Sequence, residues 1–270
     1  MAGRSPYQDV LRDLAAEHAD LDAIVAGVDD DAWELATPAP GWSVGDQIAH
    51  LAYFDGRARE AVVDPDGFDA DVAAIQAGGG LDAWLADHLV AARSLAPGEL
   101  LVWWRAERSS LLSALATVDP AARVPWYGPA MGAVSFASAR LMETWAHGQD
   151  VVDALGVTRL PTGRLRHVAH LGVHALPWSF TVRGLAIPDV DVRVELRSPD
   201  RELWAWGPDD AGDVVRGNAL DFCLVVTQRR HPDDVRLEAY GPVAEQWITI
   251  AQAFAGPPGA GRAPGQFRDA

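Results

Sequence analysis

Leu141-Met-Glu-Thr-Trp-Ala-His-Gly-Gln-Asp150 reads as helix and sets Glu143 four residues before His147. Residues at i and i+4 share one helix face, with Cβ atoms about 5–6 Å apart, so a carboxylate oxygen and an imidazole nitrogen can converge on one ion. Upstream, Gly41-Trp-Ser-Val-Gly-Asp-Gln-Ile-Ala-His50-Leu51 opens another helix and offers a second imidazole at the border of its apolar stripe. Three protein ligands with a fourth position open describe a catalytic zinc site rather than a structural one. Each part also has a plain reading. Glu143 and His147 are compatible with a solvated face carrying an i, i+4 pair. His50, beside Asp46, Gln47 and Phe54, is compatible with a boundary histidine.

Working outward, helical spacing of Val10, Leu11, Leu14, Leu21, Ile24, Val25 and Val28 predicts a helix over Pro6–Val28. After the breaker Thr37-Pro-Ala-Pro-Gly41, Ser43 with Asp46 three residues on resembles a capping box, and that helix ends before Asp64-Pro65. Phe68–Ala96 is helical in character and punctuated by Gly78-Gly-Gly80. Further helices are predicted over Glu99–Val118 and Val134–Leu155. Four long helices around an ion match the usual construction of metal sites in bundles. Beyond Pro161 the pattern changes. Thr162–Ser179 is helical, while Asp191–Arg197 and Glu202–Trp206 alternate at period two. Ala219–Thr227 reads as a short helix, Val235–Ala239 as a strand, and Val243–Phe254 as a closing helix. The expected class is α+β: a four-helix metal-binding domain over 1–158, a smaller α+β domain over 159–255, and a flexible Gly/Pro/Ala-rich tail over 256–270.

The chain has 270 residues, of which 49% are hydrophobic and 22% charged, so a packed core is expected. Its 38 acidic and 22 basic residues leave a net charge of −16, which repels phosphate backbones and anionic lipid. Nucleic-acid and membrane partners are therefore not expected. No apolar run approaches about 20 residues, and the first residues lack an apolar signal core. The single cysteine, Cys223, lies in the apolar run Phe222–Val226; it excludes an intrachain disulfide and reads as a small core residue. A cytoplasmic protein, monomeric or homodimeric, is the expectation.

Other polar residues compete for attention. His167, His170 and His174 follow i, i+3, i+7 spacing but have no carboxylate in register, and read as a core-edge or interface stripe. Arg108 falls on an apolar face beside Trp104 and Leu111; a buried arginine needs an anion, from an acidic side chain or from a substrate. His18 and His88 show no partner in the sequence.

The segment Trp33–Leu51 taken with Glu143–Asp150 resembles the mycothiol-dependent maleylpyruvate isomerase family, within the wider DinB-like superfamily of metal-dependent thiol transferases. The likeness covers about the first 155 residues. It implies a DinB-like four-helix bundle holding a divalent ion, usually zinc, on His50, Glu143 and His147, with Asp150 close by. It also implies mycothiol as thiol cosubstrate. The second half resembles that family's sterol-carrier-protein-like α+β domain. There Gly217-Asn-Ala-Leu-Asp-Phe-Cys-Leu-Val-Val-Thr-Gln-Arg229 follows a Gly-Pro-Ala-Ala-Asp…Gly-Arg pattern, departing at Asn218 and Gln228. The family's functional arginine falls on Arg229, next to Arg230.

The chemistry so implied is thiol-dependent. A free thiol is mostly protonated at neutral pH, whereas the thiolate is the nucleophile, and a bound cation favours it. Addition to a conjugated cis double bond, rotation and elimination would isomerise a small electrophile; displacement of a leaving group would make the protein an S-transferase. Arg229 or Arg108 could stabilise charge on substrate oxygens and Asp150 could relay a proton. Two rivals remain at this level: a zinc-dependent hydrolase, and a non-catalytic metal-stabilised module whose tryptophans line a ligand cavity.

Overall fold

A computed structural model of the chain describes residues 5–267, and the side chains of all of these except 81–83 and 85–87. The backbone divides into two compact units that meet between Thr158 and Arg159.

The first unit is built on four long helices: α1 (Pro6–Val25), α2 (Val44–Val63), α5 (Pro97–Leu115) and α6 (Ala133–Leu155). Their starts follow from local chemistry. Ser5 and Gln8 form a capping box on α1, with Pro6 in the first turn. Ser43 and Asp46 do the same on α2, the Asp46 carboxylate accepting the Ser43 N–H at 2.9 Å and the Ser43 hydroxyl accepting the Asp46 N–H at 3.2 Å. Pro97 opens α5, two residues before the predicted start, since its missing N–H would be unsatisfied there anyway. α6 stops at Gly156, which takes the left-handed conformation (φ +63°). Helix α2 packs on both α5 and α6, and α1 packs on α6. Leu14, Leu21, Ile48, Leu51, Trp104, Leu111 and Leu141 are fully buried between them.

The segment from Pro65 to Ala92 forms two shorter helices, α3 (Pro65–Ala77) and α4 (Leu81–Ala92). They break where Gly79 and Gly80 have positive φ, as the glycine run predicts. A two-residue antiparallel ladder, β1 (Arg123–Val124) with β2 (Met131–Gly132), leads into α6.

In the second unit the predicted helix Thr162–Ser179 is split into α7 (Leu165–His174) and α8 (Leu176–Thr181). Pro177 cannot donate to the α7 ladder and its ring clashes with the preceding turn, so a new helix starts with Pro177 in its first turn. A four-stranded sheet follows, in the order β4 (Leu203–Trp206), β3 (Val192–Arg197), β5 (Asp213–Asn218), β6 (Leu237–Tyr240). β3 and β5 are parallel and the outer pairings antiparallel. Helices α9 (Ala219–Val226) and α10 (Pro242–Ile250) pack on this sheet, burying Val194, Leu196, Val215, Phe222 and Trp247. The last described residues contact this unit: the Gly265 N–H donates to Asp234 at 2.7 Å, and Arg230 lies 3.7 Å over the Phe267 ring. The class is α+β, a helical bundle followed by a sheet-containing part. Among the described residues no helix is long and apolar enough to cross a membrane.

Candidate metal centre

Capping at Ser43 fixes the first turns of α2, and with them Gln47 and His50. Arg93 reinforces that end. Its guanidinium grips the Asp46 carboxylate through two contacts, 2.8 and 2.9 Å, and donates to the Gly41 carbonyl at 3.1 Å. Burial pushes the Asp46 carboxyl up, but Arg93 and the Ser43 donors outweigh it and hold the carboxyl below its ordinary value.

Packing of α6 against α2 then brings Glu143 and His147 to His50. One donor atom from each of the three lies within 4.8 Å of the other two; among the described residues, no other trio of histidine, cysteine or carboxylate side chains does so. His147 Nε2 and Glu143 Oε2 are 3.2 Å apart. Zinc–nitrogen and zinc–oxygen bonds near 2.0–2.2 Å place tetrahedral neighbours ~3.3 Å apart, so this edge already has the needed length. The rings of His50 and His147 face each other at 4.3 Å between centroids. The Trp42 indole stacks on His147 (6.0 Å, 21° between planes) and tilts over His50 at 5.2 Å, while Phe54 backs His50 at 4.5 Å.

The hydrogen bonds around His147 decide which nitrogen faces the cluster. The Thr37 hydroxyl lies 2.9 Å from the Trp42 carbonyl, which can only accept, so it donates there. It then accepts from Gln47 Nε2 at 3.0 Å. That turns Gln47 Oε1 toward His147 Nδ1, 2.5 Å away, and Nδ1 carries the proton. The lone pair falls on Nε2, opposite the Glu143 carboxylate. A proton or a metal ion can bridge this 3.2 Å gap, and the donor set of two imidazoles and one carboxylate suits zinc. The residues present therefore fit a divalent ion.

Asp150 lies one turn beyond His147 on α6 and is 1% exposed. Arg229 lies in the second unit at the end of α9, where its guanidinium donates to the Thr227 carbonyl at 2.7 Å. Its backbone N–H bonds to Leu224 and that of Gln228 to Val225, closing the helix with Gln228 at φ +59°. Gln228 thus holds a left-handed conformation that glycine adopts most readily.

Other candidates are engaged elsewhere. Arg108 is paired with Asp22 and donates to the His18 carbonyl at 2.8 Å, so the acidic-side-chain reading applies to it and not the substrate one. His170 Nδ1 lies 3.3 Å from the Trp206 indole N–H, and His174 Nδ1 lies 2.8 Å from the His170 carbonyl. Cys223 is wholly buried, and burial pushes its thiol well above the ordinary value. Sequence reasoning gave no role to Thr37, Trp42 or Gln47. The only available signal was the amide of Gln47, three residues before His50 and on the same face.

Residues 14–152 match the family described as the mycothiol maleylpyruvate isomerase N-terminal domain. The chain belongs to that family. Two uncharacterized proteins of Mycobacterium tuberculosis, from strains CDC 1551 / Oshkosh and ATCC 25618 / H37Rv, are each 47% identical to it over 264 residues, covering 97% of this chain and all of theirs. Crystal structures of the mycothiol-dependent maleylpyruvate isomerase and of a histidine-to-alanine mutant of it share the fold. Each superposes with a TM-score of 0.59 over 87% of this chain and 93% of theirs, at 17% and 16% identity.

Proposed function

We propose that this family member is a metal-dependent enzyme that uses a low-molecular-weight thiol, mycothiol, to isomerise or S-alkylate a small electrophile. The observation that carries the reading is the convergence of His50, Glu143 and His147 within 4.8 Å. Three donors from two helices leave a tetrahedral ion one position for an outside ligand. Zinc held there would favour the thiolate form of a bound thiol near neutral pH.

The chain's own residues supply the rest. His50, Glu143 and His147 would hold the ion, and the Trp42 and Phe54 rings pack against the imidazoles. Cys223, the one cysteine, is sealed in the second unit's core with its thiol protonated, so the nucleophilic sulfur comes from outside the chain. In the isomerase form, addition to a conjugated cis double bond leaves a single bond that rotates before elimination. Asp150 is proposed as the proton relay and Arg229 as the group that stabilises negative charge on the substrate oxygens.

The test is turnover with and without mycothiol in a folded Glu143→Ala protein. Loss of thiol-dependent turnover is expected; undiminished turnover removes the metal from the mechanism. Thiol-independent hydrolysis by the intact protein would favour the hydrolase instead.

A further inference from the structure

We infer that Gln47 is a positioning residue for the ion, and that the loop Thr37–Trp42 sets the coordinating nitrogen of His147 through it. The inference rests on the metal reading above and assigns a role to residues that supply none of the three donor atoms.

The chain of contacts has a fixed direction. The Trp42 carbonyl can only accept, and it takes both the Thr37 N–H at 2.8 Å and the Thr37 hydroxyl at 2.9 Å. With its one proton committed, the Thr37 oxygen can only accept from the Gln47 amide. A carboxamide has one donor end and one acceptor end, so its carbonyl is then forced onto His147. Had Gln47 been free to flip, its NH2 would have faced Nδ1, the ring proton would have moved to Nε2, and the ligand atom would have been blocked. Gln47 is 0% exposed and Thr37 8%, so water does not compete for these groups.

The same loop holds His147 a second way. The residue whose carbonyl ends the relay, Trp42, also lays its indole on the His147 ring. Ring tilt and ring tautomer are thus set from one loop, which Arg93 ties to α2 through Gly41 and Asp46. Partners that orient a ligating histidine typically change metal affinity about 10–100-fold when removed.

The experiment is zinc affinity, measured by chelator competition, for the intact protein and for Gln47→Leu, Gln47→Glu and Thr37→Val, with the melting temperature of each metal-free protein alongside. Gln47→Leu, which keeps the bulk and loses the acceptor, should weaken zinc about 10–100-fold. Gln47→Glu keeps an acceptor on Nδ1 and should retain or raise affinity. Thr37→Val frees the amide to flip and should weaken zinc in the same direction. A purely structural role predicts that affinity tracks the metal-free melting temperature, with Gln47→Glu as harmful as Gln47→Leu; that result overturns the inference. Equal zinc affinity in all four proteins overturns it alone and leaves the metal reading standing, whereas no zinc uptake by the intact protein overturns both.

Discussion

The Asp55 carboxylate of α2 and the Arg140 guanidinium of α6 meet at 2.8 Å, with Asp55 0% and Arg140 3% exposed. The same carboxylate accepts the Trp104 indole N–H of α5 at 3.2 Å and lies 3.6 Å from the His18 ring of α1. One acidic side chain of α2 therefore reaches each of the other three long helices. It ties the helix of His50 to the helix of Glu143 and His147, with Arg140 one turn before Glu143.

Breaking that tie from one side should be costly, because the Arg140 charge would stay buried without its partner. Asp55→Asn is expected to lose about 3–5 kcal/mol in urea unfolding. Replacing both partners, Asp55→Leu with Arg140→Met, should cost less than either single change. Additive losses would show that the pair is not coupled.

His18 shares this buried site and is neutral. Burial lowers its pKa to about 4; Asp55 opposes the shift, and Arg108 and Arg140 add to it. The 3.6 Å approach to Asp55 is therefore not a salt bridge in the folded protein. Above about pH 6.5 the imidazole is neutral in both folded and unfolded chains and contributes no pH dependence. As pH falls from there toward 4 only the unfolded chain takes up the proton, so stability is lost, up to about 3 kcal/mol. Urea midpoints at pH 7 and pH 5 should differ less in His18→Phe than in the parent; an equal difference would mean that His18 titrates normally.

Zinc should stabilise the folded protein by mass action. At ~100 times Kd the gain is about 2.7 kcal/mol, a rise on the order of 5 °C or more in melting temperature. His50→Ala should melt at one temperature with or without zinc. A full zinc response in that variant would place the ion elsewhere.

Gln228 holds a left-handed backbone, φ +59°, at the end of α9. A β-branched side chain is strained there, so Gln228→Val should lose about 1–3 kcal/mol in chemical denaturation, and Gln228→Asn clearly less. Equal losses would point to the side-chain bond from Gln228 to the Ala251 carbonyl as the cause instead.

Much of the bundle is legible in the chain because its signals are local. Capping at Ser43, the break at Gly78–Gly80 and the apolar stripes act within one or two turns. What escaped was non-local. The ladder of β5 along β3 is a parallel pairing across intervening chain, and Asp213-Val-Val-Arg-Gly-Asn218 has too short an alternation to announce it. The hub at Asp55 was equally hidden, since its three partners come from three other helices.

Sequence alone put Glu143 and His147 on one face, because a helix repeats every 3.6 residues wherever it forms. It also offered His50, on another helix, as a third donor, and likeness to a family pointed to the same residue. Only the packing of α6 against α2 decided that these side chains meet, and only the folded loop at Thr37–Trp42 decided which nitrogen of His147 faces the others. Distance between helices and direction of a hydrogen-bond chain depend on side chains far apart in the chain, and no local pattern encodes them.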